Sequence, residues 1–125
     1  MHNQPSVSEL VQAVKNFVDH SAMPELEGRA AFHARVASNV LATILRDLDS
    51  REANDAAEYE RLIALLPDSE GKSREALNEV LRDRIRAGEL TIQSDALMDH
   101  LKKTAIAQLK VDQPKYSGLA TALED

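Results

Sequence analysis

Arg29 and His33 stand four residues apart in the stretch GRAAFHARVASNVLATILRDL at 28–48, so on a helix they share one face. A guanidinium beside an imidazole is the chemistry of anion binding or of acid–base transfer, because histidine changes charge near neutral pH. Glu58 and Arg84 are further charges set among apolar neighbours, the first beside Leu62 and Leu65, the second beside Leu77, Val80 and Leu81. A buried charge is costly unless it is paired. Two readings follow. In one, Arg29, His33, Glu58 and Arg84 form a polar, ligand-holding site between helices. In the other, Glu58 joins Arg29 or Arg84 in an internal salt bridge with His33 hydrogen-bonded nearby. No residue is assigned a catalytic role.

Metal and cofactor chemistry finds little support. His2, His20, His33 and His100 include no pair at helix-facing spacing, no Glu-x-x-His motif occurs, and there is no cysteine. Gly28, Gly71, Gly88 and Gly118 are isolated, so neither a phosphate loop nor a dinucleotide fingerprint is present. No metal and no cofactor is therefore expected. Acidic residues outnumber basic ones by 21 to 15, for a net charge of −6. That balance disfavours nucleic-acid binding, and two phenylalanines and two tyrosines offer little for bases to stack on. The N-terminus lacks a signal-peptide pattern, and no apolar run approaches the roughly 20 residues of a membrane span. With no thiol to protect, a cytoplasmic location is expected.

The elements that must position these residues are helices. At 125 residues the chain reads as one domain, with an ordered bundle over 6–116 and a loosely held tail over 117–125. Ser6 and Glu9 have capping-box spacing before Val7, Leu10, Val14, Phe17 and Val18, which predicts a first helix ending near His20. The central helix begins at Pro24 or after Gly28 and runs to about Leu48. At roughly 100° per residue it places Val36, Ala37, Val40, Leu41, Ile44 and Leu48 on one buried stripe, with Arg29 and His33 at its end. Asp49 or Ser50 then caps a third helix, which Pro67 stops. Ser73 caps a fourth helix with Leu77, Val80, Leu81 and Ile85 inward and Gly88 at its end. Ser94 and Asp95 open a fifth, with Leu97, Met98, Leu101, Ala105 and Leu109 inward. The fold class is all-α, an up-and-down bundle of about five helices.

Some residues point to a partner. Arg35 and Asn39 share a face away from the apolar stripe of the central helix, either as a solvated face or as a contact. Ile106 lies among Lys102, Lys103 and Lys110, and Tyr116, Leu119 and Leu123 follow in the tail. These apolar residues form a docking surface or fold back on the bundle.

Three stretches, LEGRAAFHARVASNVLATILRDL at 26–48, LRDRIRAGEL at 81–90 and LKVDQPKY at 109–116, together resemble a family of small bacterial helical proteins of uncharacterised function. The resemblance extends from about Ser6 to Tyr116. That family has no established catalytic residues, so none is carried over. Its members are often encoded beside aminoglycoside-phosphotransferase-like kinases and acyl-CoA dehydrogenases. What the resemblance implies is an accessory protein that supports such a kinase in hydroxyacyl-CoA or short-chain acid catabolism. Two alternatives remain at this point: a bundle that binds a small anion, or acts weakly as an enzyme, through Arg29 and His33, and a self-associating structural module.

Overall fold

The computed structural model describes residues 4–124, so His2 and Asp125 lie outside the described residues. The fold is an all-α helical bundle of five α-helices, with no strand among the described residues. These are α1 (Val7–Phe17), α2 (Gly28–Leu65), α3 (Arg74–Arg86), α4 (Asp95–Asp112) and α5 (Ser117–Glu124). The chain divides into two compact units, Met1–Ser50 and Arg51–Asp125, with the boundary inside α2.

In the first unit, α1 starts on the capping box read from the sequence. The Ser6 hydroxyl accepts from the Glu9 amide at 3.1 Å, and the Glu9 carboxylate accepts from the Ser6 amide at 3.3 Å. The helix then loosens into a π-helical turn, Val18–Ala22, and a 3₁₀ turn, Met23–Glu25, that carries Pro24. Gly28, at φ 61°, supplies the left-handed backbone from which α2 departs.

α2 is 38 residues long, where the sequence suggested two helices with a break at Asp49 or Ser50. The Ser50 hydroxyl does not cap anything ahead of it. It donates to the Arg46 carbonyl one turn back, at 2.8 Å, and Thr43 does the same to Asn39 at 3.1 Å. The following REANDAAE has no glycine or proline and three alanines, so nothing interrupts the helical ladder.

The rotation of α2 in the first unit also differs from expectation. Its covered seam is Ala31, Ala34, Ser38, Leu41 and Leu45, at alternating three- and four-residue spacing, with Ser38 buried. Phe32, Val36, Val40 and Ile44 are exposed instead. The reason lies in the small Ala31, Ala34 and Ser38 at the start of that seam and in a polar tie. The Ser38 hydroxyl donates to the Asp19 carboxylate on the π-helical turn, and Lys15 pairs with the same carboxylate at 2.7 Å. Both interactions hold the Asp19 carboxyl below its usual range, Lys15 more than Ser38.

The second unit holds the apolar core. Leu62 and Leu66, Leu77 and Leu81 of α3, and Leu97 of α4 form one buried cluster, with Tyr59, Leu65, Val80 and Leu90 against it. Ser73 caps α3 by accepting from the Ala76 amide at 3.1 Å. Gly88, at φ 79°, closes α3 in a Schellman motif. Its amide donates to Ile85 O, and the Glu89 amide donates to Arg84 O. Ile85, expected inward, is 40% exposed. The residues expected to be a loose tail form α5, packed on α4 with Leu119 buried. Gly118 makes room for this turn, because a Cβ there would meet the Tyr116 ring at 2.5 Å.

Candidate functional site

The polar cluster of the second unit is built from α2 and α4. On α4 the buried positions are Leu97, His100 and Val111, with Thr104 half-buried between them, a stripe of three-, four- and seven-residue steps. Met98 and Leu101, expected inward, are 43% and 41% exposed. The helix turns this way because His100 finds a donor. Arg61 of α2, the residue before the core Leu62, donates from Nε to His100 Nδ1 at 3.1 Å and from Nη2 to Thr104 Oγ1 at 3.1 Å. With Nδ1 accepting, the imidazole is neutral and its proton sits on Nε2. Burial, and then the positive charge of Arg61, push the His100 pKa below its ordinary 6.5.

Arg61 lines two cavities. One of about 420 Å³ is bordered by Lys102, Lys103, Lys110 and Asp99, with Ile106 and Leu123 on its apolar wall. The other, about 150 Å³, lies beside Ala64, Ala96 and His100. Asp99 ion-pairs with Lys103 at 3.0 Å. The hydrogen-bond partners of Arg61 are both neutral. The arrangement offers a fixed guanidinium and lysines against an apolar wall, which suits an anion rather than a proton-transfer reaction.

The residues singled out from sequence fall elsewhere. Arg29 and His33 are exposed in the first unit, on the outward face of α2, where a charge is well solvated and needs no partner. The His33 ring meets Phe32 edge to face, centroids 5.7 Å apart. Glu58, in the second unit, pairs with Arg74 at 2.8 Å, which raises the Arg74 pKa, rather than with Arg84. Arg74 also reaches Asp55 at 3.7 Å and Glu75 at 3.2 Å. Arg84 is half-buried, and its carbonyl closes the α3 terminus. Arg35 and Asn39 are exposed, Ile106 lines the larger cavity, and Tyr116 is 51% exposed. Arg61 and His100 were not recognised from sequence as a pair. The available signal was the spacing of Leu97, His100, Thr104 and Val111. Among the described residues no group of three or more His, Asp or Glu is placed to hold a metal, and no helix is long and apolar enough to cross a membrane.

Fold and site together define a small all-helical protein with an exposed apolar face and a basic cavity. The chain belongs to the family described as a domain of unknown function, DUF6285, whose model matches residues 24–116 and so includes all three stretches quoted above. No curated protein and no solved structure matches it.

Proposed function

We propose that the chain is a non-enzymatic accessory protein that docks on a protein partner through the outward face of its first unit. The observation that carries this reading is the exposure of that face. Val7, Leu10, Val14 and Phe17 of α1 are 53–62% exposed, and Leu26, Phe32, Val36, Val40 and Ile44 are 37–57% exposed. Large apolar side chains left exposed in such number mark an interaction site. The resemblance of the three stretches supplies the partner: an aminoglycoside-phosphotransferase-like kinase of hydroxyacyl-CoA or short-chain acid catabolism.

Co-expression with such a kinase encoded beside it tests this. Co-purification of the pair is expected, together with its loss when Val7, Leu10, Val14 and Phe17 are changed to Ser. Separate elution of the wild-type chain and the kinase overturns it. A second reading rests on the same exposed side chains: a second copy of the chain covers them in a symmetric dimer. A dimer by light scattering in the absence of the kinase, lost in the same variant, selects that reading.

A further inference from the structure

The larger cavity of the second unit is independent of the docking face. Arg61 is held by two neutral acceptors, so its hydrogen bonds orient the guanidinium without neutralising it. In a chain of net charge −6, three lysines border the same cavity. Lys102, Ile106 and Lys110 succeed one another at four-residue steps, so one face of α4 offers cation, apolar surface and cation in turn. Asp99 is engaged by Lys103. Opposite them α5 supplies Ala122 and Leu123. A volume of about 420 Å³ falls in the range of small-molecule sites.

We propose that this cavity binds a small molecule with an oxyanion head and a short apolar tail, the head on Arg61 and Lys110, the tail against Ile106 and Leu123. Arg61 is the specificity-setting group, because a planar fork fixes an oxyanion by paired hydrogen bonds where a lysine acts as a point charge. His100 and Thr104 are positioning residues that hold the fork. The shared ligand chemistry is a phosphate or a carboxylate on an alkyl chain.

Calorimetry on the full chain with hexyl phosphate, hexanoate and inorganic phosphate tests the assignment. One-to-one saturable binding of hexyl phosphate or hexanoate is expected. Comparing those two names the head group. Inorganic phosphate is expected to bind at least tenfold more weakly, since it leaves the apolar wall unused. Arg61→Gln is expected to weaken binding at least tenfold. Lys110→Glu, an exposed change that leaves Arg61 and the core in place, is expected to weaken it severalfold and to flatten its salt dependence. Absence of saturable binding by both alkyl anions overturns the proposal, as does equal binding by the wild type and Lys110→Glu. Should Arg61→Gln not fold, Ile106→Ser, on the apolar wall, separates the cases. It weakens hexyl phosphate but not inorganic phosphate if the tail lies there, and equal loss of both contradicts the proposal.

Discussion

The two units are made of the same kind of amphipathic helix and treat their apolar residues in opposite ways. In Arg51–Asp125, leucines from three helices converge on one another, and every buried hydrophobic residue of the described chain lies there. In Met1–Ser50 the one buried residue among those described is Ser38, while the large side chains of α1 and the first part of α2 face outward. The helices of the second unit are amphipathic toward their own chain. Those of the first leave their large apolar side chains exposed. A hydrophobic stripe states which residues want to leave water together, and it is silent on what covers them.

The contrast can be broken by mutation. Leu62→Ala and Leu77→Ala, at side chains with no exposed surface, are expected to destabilise by about 2–5 kcal/mol in denaturant unfolding. Val14→Ser and Phe17→Ser are expected to change the stability of the isolated chain by less than about 1 kcal/mol while abolishing association. A loss at Phe17 as large as at Leu62 would mean that the two units bury their apolar residues alike.

Smaller effects sharpen the second unit. Gly88→Ala forces a side chain into left-handed backbone and is expected to cost about 1–2 kcal/mol, and Ser73→Ala about 1 kcal/mol through the lost cap. Circular dichroism melts check both.

The pH dependence separates the units again. His100 has a folded pKa below 6.5, so above that pH both states hold a neutral imidazole and nothing is lost. Below 6.5 the unfolded chain takes up a proton that the folded chain refuses, and stability falls until the folded pKa is reached. His100→Gln, whose amide oxygen still accepts from Arg61, is expected to flatten that stretch of the curve. Asp19 acts at lower pH. Its folded pKa lies below 3.8, so its contribution is present above 3.8 and is lost as pH falls through the folded value. Asp19→Asn is expected to leave the neutral-pH titration of His100 unmoved and to give the smallest change of the set, because a partly exposed ion pair is screened by solvent.

Local chemistry was legible in the sequence where the backbone is decided within four residues. Ser6 with Glu9, Ser73, Pro67 and Gly88 mark helix ends that the structure keeps. Asp49 and Ser50 misled because a hydroxyl is equally able to cap forward or to bond one turn back, and only the continuity of the alanine-rich segment after them decides. α5 was missed because its eight residues are too few to show a period, and Leu119 is buried by contact with α4 rather than by propensity. Arg29 and His33 stand out in sequence only if their stripe is buried. On an exposed face an arginine and a histidine are ordinary. Arg61 and His100 lie 39 residues apart, and nothing local says that their helices place them 3.1 Å from one another.

The proposed interface on the outward face of α1 and α2 is tested most directly by the mass of the wild-type chain after co-expression with a phosphotransferase-like kinase. Light scattering on the purified chain is predicted to give a complex containing both proteins, dispersed by the four Ser substitutions in α1. A chain that elutes as a monomer at high concentration, apart from the kinase, contradicts the claim.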